Sequence, residues 1–511
     1  MNLRNLAVAA LLATTATAAQ QPFDLDPSFR LPVDEININS VLQRPDGKLI
    51  VSGQLRFPGV MAPSIGGGVL NTDGTVETYL TPDGHYYLLG GRMTPWGDGF
   101  YVGRSGMRYH WDGTMDTTWQ PTGVILVQDG DYQLFPDGRV LVTGYGHIYG
   151  VPSLLVGPYA GFWLRSDGHV DTTRTPISAE GPIFTIRQMP DGKFMCTGGG
   201  GFVQGHPSPT IFRLNPDGSL DTTFQAPYLE LGYGYDYVPA QDGKVLAAGY
   251  FKFIGSPDTL SLVRFLPDGP LDSTFNAPYC TKHYGISNFP MIMQVTPFDN
   301  DKMIVTGGFD KINGEVRGGI AMLDTSGTLV EGYFGGAGCG GYPDDIGTWR
   351  QYIYGFYTAP DGYFYIFGGY HGYDDDTGTD GSNQRLISRL YGLNVGIQEH
   401  HTGQVGQLHI APNPGNGQAV ELSLAPTAGS ASRDPAGGVM AQAAEVTVHD
   451  ASGRAVQQEP WPAGTYMHTL RAGLLAPGTY MVRVVSSDAA TAGSAARDPA
   501  GGYVGQLVVL P

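Results

Sequence analysis

The peptide FRLNPDGSLDTTF, residues 212–224, is polar at its centre and apolar at both ends, and a close copy, VRFLPDGPLDSTF, occupies residues 263–275. Asp217 and Asp221 are neighbouring carboxylates, so a single copy is compatible with a turn, a calcium loop or a catalytic loop. Related peptides occur near residues 71, 111 and 166, and a degenerate copy occurs near residue 324. Because the carboxylates recur with the repeat, we interpret them as connectors between strands and not as catalytic groups.

A second peptide, a turn followed by an apolar strand that ends in glycine, also recurs. Its copies span 44–53, 96–103, 136–144, 190–199, 241–249, 299–308 and 360–369. The last unit ends at 386–392 without the first peptide, and FDLDPSF at 23–29 supplies the missing copy. An N-terminal strand that completes the last unit closes a ring and removes an exposed strand edge. The pattern therefore predicts an all-β fold, a seven-bladed β-propeller.

The turn residues favour antiparallel hairpins. Proline presets φ at the second position of a β-turn, and the following Asp-Gly tolerates a positive φ. In the copy at 263–275, Asp272 can bond neighbouring backbone groups together with Ser273 and Thr274, after which Phe275 packs inward. We expect short strands joined by such turns.

These units resemble the delta-60 repeat β-propeller of secreted bacterial proteins. The segments GYFKFIG at 249–255 and GGFDKING at 307–314 match the middle of that repeat, and the resemblance extends over residues 23–392. It implies a propeller over 22–395 but no particular activity, because no common activity is established for the family. Few residues separate Gly103 from Tyr109, so we expect a truncated outer hairpin in the second unit.

Residues 1–19 have the features of a secretory signal peptide, with Arg4, an apolar run and small residues before the cleavage position. No later segment reaches the roughly 18 apolar residues of a spanning helix, so we predict export without a transmembrane segment. The net charge of −18 opposes binding to nucleic acid. In an exported protein Cys280 could pair with Cys339 and leave Cys196 free; three buried thiols are the alternative.

After a linker at 396–408 the repeat stops, and alternating apolar segments over 409–511 predict a small immunoglobulin-like β-sandwich. This domain resembles the type A C-terminal sorting domain of the type IX secretion system of Bacteroidetes. The matching residues are Pro412, Asn413, Pro414, Gly417, Asp450, Gly453, Arg454, Gly478, Tyr480, Val482 and Val484. The resemblance implies export through the type IX machinery, then release or attachment to the outer surface of the outer membrane. Two near-identical peptides, 428–438 and 492–502, are predicted to be loop insertions without function.

One acidic loop is a candidate metal site. Asp374, Asp376 and Asp380 alternate in it, and their oxygen ligands suit calcium, the one cofactor that the sequence indicates. The loop has no bidentate glutamate at the expected spacing, so a solvated acidic loop is the alternative.

Two aromatic segments contain the candidate ligand-binding residues. Exposed rings there could stack on sugars while polar groups bind hydroxyls; alternatively, the rings fill the space between blades. The candidates are Tyr233, Tyr235, Asp236, Trp349 and Arg350.

The chain contains no signature of a known catalytic site. We therefore expect a secreted or surface-displayed binding or adhesion protein, with a glycan or a protein as its ligand. An extracellular polysaccharide hydrolase or lyase and a structural component of the envelope are the alternatives. Two carboxyl groups with raised pKa values that converge in the channel would favour the enzyme, and an aromatic, uncharged rim would favour binding.

Overall fold

A computed structural model describes most of the repeat region and part of the C-terminal region. The described residues are 21–31, 35–56, 65–79, 92–97, 99–102, 107–119, 124–148, 157–283, 289–299, 301–344, 347–374, 384–393, 406–411, 420–424, 444–449, 455–463, 467–471, 475, 478–486 and 503–509. Strands are their main secondary structure and no α-helix occurs among them, which confirms the predicted all-β class. The larger compact unit is Leu25–Leu390, and the residues from Tyr391 onward belong to a second unit.

Seven antiparallel main sheets follow one another along the described part of the larger unit. Sheet 1 contains β1 (Glu35–Gln43), β2 (Leu49–Arg56), β3 (Ile65–Leu70) and β4 (Val76–Tyr79); sheet 2 contains β5 (Met93–Trp96), β6 (Gly99–Val102) and β7 (Met107–His110). Sheet 3 contains β8 (Val124–Leu134), β9 (Val140–Ile148) and β10 (Tyr159–Leu164). Sheet 4 contains β11 (Ile183–Gln188), β12 (Phe194–Gly198) and β15 (Ile211–Leu214), with a small hairpin of β13 (Phe202–Val203) and β14 (His206–Pro207).

The remaining main sheets have the same plan. Sheet 5 contains β16 (Leu229–Pro239), β17 (Val245–Phe253) and β18 (Leu260–Phe265), with a short 3-10 turn at Gln241–Gly243. Sheet 6 contains β20 (Met291–Asp299), β21 (Lys302–Gly308) and β24 (Ile320–Asp324), beside the short strands β19 (Cys280–Thr281), β22 (Lys311–Ile312) and β23 (Glu315–Val316). Sheet 7 contains β27 (Tyr352–Thr358), β28 (Phe364–His371) and β29 (Arg385–Leu390), beside the hairpin of β25 (Tyr342–Pro343) and β26 (Trp349–Arg350).

An aspartate that follows the outer strand in several sheets fixes the turn that the sequence repeats. The Asp221 carboxylate accepts hydrogen bonds from the Thr223 backbone N–H (3.0 Å) and hydroxyl (2.6 Å), from Arg213 Nε (2.7 Å) and from Lys193 Nζ (2.8 Å). The Arg213 guanidinium also lies 4.7 Å from the ring centroid of Phe224. We call this arrangement the aspartate turn. It makes Asp221 a structural residue, as the repeat predicted.

The aspartate turn recurs and joins consecutive sheets. Asp272 has the same bonds to Thr274 and Arg264, and Asp26 has them to Ser28 and Arg389. In each copy a second guanidinium nitrogen of the arginine donates to a carbonyl in the turn of the next sheet. The acceptors are Pro267 O for Arg213 (2.9 Å), Thr325 O for Arg264 (3.0 Å) and Thr72 O for Arg389 (2.5 Å).

The main sheets pack side by side in chain order, and the last sheet packs against the first. Their first strands lie at the centre, because the first strands of neighbouring sheets contact one another. Val41 and Val51 of sheet 1 share a hydrophobic core with Tyr365 and Ile387 of sheet 7. Burying apolar surface between sheets is the main stabilising contribution to such an arrangement.

The segment around Leu25 belongs to sheet 7, although it stands at the opposite end of the chain. Leu25 pairs with Leu390, and the Asp26 backbone N–H donates to Arg389 O at 2.9 Å. Phe29 is fully buried 5.5 Å from the ring of Tyr365.

The described strands of the second unit form one seven-stranded order. In that order they are β33 (Ala455–Trp461), β32 (Ala444–His449), β35 (Gly478–Ser486), β36 (Tyr503–Val509), β30 (Gly406–Ala411), β31 (Val420–Leu424) and β34 (Met467–Leu470). Only β36 and β30 are parallel within this described set. Leu422 and Leu470 from one end of the order share a core with Val446 and Val482 from the other. Along the chain, the first strand of this order is β30, which begins at Gly406, inside the segment predicted as a linker.

The three cysteines are all buried and unpaired. Of the two alternatives that the sequence left open, the structure contains three buried thiols and not the Cys280–Cys339 disulfide. Cys280 packs in the core between sheets 5 and 6, whereas the Cys339 sulfur lies against Gly319. Because the two side chains lie in different parts of the core, their sulfur atoms do not form a disulfide bond.

Candidate functional site

One polar position on the central strands bonds five of the described sheets to the next sheet. The Thr185 hydroxyl donates to Gly234 O at 2.8 Å, and Gln294 Oε1 accepts from the Phe356 N–H at 2.6 Å. The corresponding contacts elsewhere are Met93 N–H to Ser40 Oγ (3.0 Å), Ile186 N–H to Asp131 Oδ2 (3.3 Å) and Val295 N–H to Asp236 Oδ2 (3.2 Å). The centre of the propeller is thus lined by polar groups that the neighbouring backbone already uses.

Four charged residues from four consecutive sheets meet at this centre. Arg187 Nη1 donates to Asp131 Oδ2, and Arg187 Nε donates to Asp236 Oδ1 at 3.0 Å. Arg92 Nη2 approaches Asp131 Oδ1 at 3.2 Å from the other side. We call Arg92, Asp131, Arg187 and Asp236 the central charge cluster. Its two carboxylates and two guanidinium groups balance in charge.

The two carboxyl groups of the cluster differ in pKa. Burial would raise the pKa of Asp131, but the charges of Arg187 and Arg92 outweigh burial and lower it. Burial raises the pKa of Asp236, and Arg187 offsets this only in part. The difference follows from geometry, because Asp131 faces two guanidinium groups and Asp236 faces one.

Beside the charge cluster lies a continuous group of half-buried rings, which we call the aromatic cluster. Successive ring centroids are 5.1–6.4 Å apart, the range of edge and offset contacts between aromatic side chains. Its members, in order of contact, are Phe184, Tyr233, Tyr235, Tyr250 and Phe289. Sheets 4 and 5 and the segment before β20 supply them. Burial raises the pKa of both Tyr233 and Tyr235, so both phenols are neutral donors at any physiological pH.

Tyr354 of sheet 7 connects the two clusters. It interacts electrostatically with Asp131, Arg187 and Asp236, and both Tyr233 and Tyr235 interact with it. Tyr235 and Asp236 are also consecutive residues of β16, so the polar and aromatic parts of the centre adjoin. The carboxylates in it are both bound to Arg187, so neither is a free general base.

The predicted ligand candidates fall in two places. Tyr233, Tyr235 and Asp236 come together in the central site. Trp349 and Arg350 lie on the β25–β26 hairpin, where Arg350 Nη2 forms an ion pair with Asp344 at 2.7 Å and Trp349 is 39% exposed. Arg350 also interacts with Tyr352, which in turn interacts with Tyr235. Arg350 thus stabilises its own hairpin.

Asp131 and Arg187 were not predicted as site residues from the sequence. A signal for Asp131 exists, because it stands five positions before the proline of its turn, and Asp236 stands five positions before the matching Gln241. Aligning the central strands on their turns would have placed both carboxylates at one level. Arg187 also stood out as a charge inside the apolar strand IFTIRQ.

The predicted calcium site cannot be placed as a whole, because Asp376 and Asp380 lie outside the described residues. Asp374 Oδ1 accepts a hydrogen bond from the Gly338 N–H at 2.7 Å. Within the described ranges no three His, Cys, Asp or Glu side chains gather as metal ligands. Calcium binding by this loop stays a prediction.

Most residues of the predicted sorting motif also lie outside the described part of the chain. They are Pro412, Asn413, Pro414, Gly417, Asp450, Gly453 and Arg454. Gly478 begins β35, and Tyr480 is buried in the core of the second unit. The insertions 428–438 and 492–502 are likewise outside the description. No helix in the described part could span a membrane.

A family of β-propeller domains of unknown function (DUF5122) matches residues 190–224 and 240–275. The two matched segments end at Phe224 and Phe275, so each includes one complete aspartate turn. The larger unit is a β-propeller. This fold follows from the repeated turns, the ring of sheets and the family match together.

Two solved structures from B. thetaiotaomicron are similar to this propeller chain. The extracellular domain of a protein described as a hybrid two-component system is 11% identical, with 95% of this chain and 56% of that chain covered and a TM-score of 0.34. The extracellular domain of a protein described as a one-component system is 11% identical, with 96% and 60% covered and a TM-score of 0.37. The chain therefore spans less than two thirds of either. No curated protein matches it.

Proposed function

We propose that this protein is a secreted or cell-surface binding protein, a seven-bladed β-propeller whose ligand is a glycan or a protein. The observation that carries the proposal is the aromatic cluster beside the central charge cluster. Half-buried tyrosines combine a large apolar face with a polar tip, which is why they are enriched where proteins bind ligands. Ligand sites commonly combine aromatic walls with a few placed polar groups.

Export is the second part of the proposal. The signal-peptide features of residues 1–19 support passage across the inner membrane. The resemblance of 409–511 to a type A sorting domain supports passage through the type IX machinery. The mature protein would then be released or held on the outer surface of the outer membrane.

A polysaccharide hydrolase is the competing function, and one observation favours it. Asp131 and Asp236 converge on one arginine with pKa values shifted in opposite directions, as acid and base pairs are in many active sites. Against it, Arg187 lies between the two carboxylates and bonds to both, so no carboxyl group is free to protonate a leaving group. Binding without turnover accounts better for that geometry.

The test incubates the mature full-length chain with a panel of polysaccharides and extracellular proteins, with calcium or with a chelator. Binding and soluble products are measured in the same samples, the products by mass spectrometry. Saturable binding without products supports the proposal, and dependence on calcium would implicate the loop at Asp374. The appearance of new oligosaccharide products would contradict the proposal and support the polysaccharide hydrolase.

A further inference from the structure

The rings of the aromatic cluster offer the apolar part of a binding site. Each of the five side chains is neither fully buried nor fully exposed, so ring surface remains open beside the contacts between rings. The rings come from neighbouring sheets and are held at fixed separations by the strands that bear them. Such a preformed patch loses little entropy when a flat, rigid ligand stacks on it.

The central charge cluster offers the polar part. Arg187 uses Nε and Nη1 within the cluster, and no described residue accepts a hydrogen bond from its Nη2. Its side chain is 23% exposed, and those of Asp131 and Asp236 are each 12% exposed. Asp131 already accepts four hydrogen bonds, whereas Asp236 accepts one at each oxygen among the described residues. An open donor beside Asp236 matches neighbouring hydroxyl groups, which both donate and accept.

We propose that the centre of the propeller binds a neutral sugar unit of a glycan, stacked on Tyr233 and Tyr235 and bonded through its hydroxyls to Arg187 and Asp236. This rests on the proposed function and names its ligand class.

The charges of the site favour a neutral sugar over a charged one. The central charge cluster has two positive and two negative groups, so it offers no net attraction to a uronic acid or a sulfated sugar. The chain as a whole has a net charge of −18, which repels polyanions at long range. A cationic ligand would have to compete with two arginines that are already in place.

The test measures binding of neutral oligosaccharides (gluco-, manno- and xylo-hexaoses) and of an oligogalacturonate by calorimetry. The proteins are the mature wild-type chain, Tyr235→Ala and the matched control Tyr279→Ala. Tyr279 is the same residue type, 60% exposed and outside the aromatic cluster. We expect at least one neutral hexaose to bind, Tyr235→Ala to weaken it about tenfold and Tyr279→Ala to change it less than twofold. Circular dichroism melting confirms that each variant is folded.

Other results overturn the inference and say which part failed. Neutral binding that Tyr235→Ala leaves intact but Trp349→Ala abolishes places the site on the β25–β26 hairpin and leaves the binding function standing. Binding of oligogalacturonate alone refutes the neutral class. If no hexaose or oligogalacturonate binds, while a protein in the broader panel does, the sugar site is wrong and the binding function stands. If nothing in either panel binds, both proposals fail.

Discussion

Replacing Asp221 with alanine tests whether the repeated carboxylate is structural. The substitution leaves Arg213, whose side chain is 9% exposed, without its carboxylate partner, and it also removes the acceptor for Thr223 and Lys193. Removing one partner of a buried ion pair costs about 3–5 kcal/mol. For a unit of about 370 residues the unfolding entropy is roughly 0.8 kcal/mol per degree, so the melting temperature should fall by about 4–6 °C.

Calorimetry of Asp217→Ala beside Asp221→Ala provides the matched control. Asp217 lies in the same peptide but is exposed and bonds only to Ser219 within the described residues. We expect Asp217→Ala to lower the melting temperature by about 0.6–1.3 °C, since such an exposed turn contact contributes about 0.5–1 kcal/mol. Equal, small shifts for the two variants would refute the structural role of Asp221 and revive its interpretation as a functional carboxylate.

Three further outcomes are expected. Burial would raise the pKa of Asp221, but bonds from its partners hold it well below its ordinary value. The stability that Asp221 contributes is therefore fully present above about pH 4 and is lost as the pH falls through the folded-state pKa; the gap in unfolding free energy between wild type and Asp221→Asn should shrink on acidification. Arg389→Ala should free the N-terminal segment, so limited proteolysis should remove the residues before Leu31 faster than in the wild type; equal cleavage would contradict the role of this arginine. Burial raises the pKa of Cys280 and Cys339 to about 12, so a thiol reagent should modify no cysteine in the native protein and three after denaturation; fewer than three would indicate a disulfide.

The fold could be predicted because the residues that specify it lie close together in the sequence. Proline, aspartate and glycine specify each turn within a few residues, and the recurrence of those turns reveals the repeat. Asp26 could be assigned to sheet 7 because the last repeat unit lacks the aspartate-containing peptide and residues 23–29 supply it. Sheet order needed no long-range inference, since each unit packs on its neighbour.

The site was harder because its contacts cross between sheets. Tyr233 and Tyr235 could be predicted as ligand candidates from their own aromatic segment. Arg187 could not, because its partners Asp131 and Asp236 lie on the adjoining sheets. Arg350 has a local partner instead, because Asp344 lies six positions away on the same hairpin, and its role in ligand binding stays a prediction. The state of the three cysteines could not be decided from the sequence, because the sequence does not show which part of the core each side chain enters.

The pairing of Leu25 with Leu390 also constrains the order of events during folding. Leu25 is synthesised among the first residues of the propeller and its partner among the last, so this contact has the largest sequence separation that the unit allows. Contacts of large sequence separation slow folding, because loop-closure entropy is lost before they form. The earlier sheets can assemble one after another as they emerge, but sheet 7 keeps an unsatisfied strand edge until the chain's own beginning returns to it. Until then the nearly finished molecule presents the type of edge at which β-proteins aggregate, and its dependence on chaperones should be greatest at that late stage.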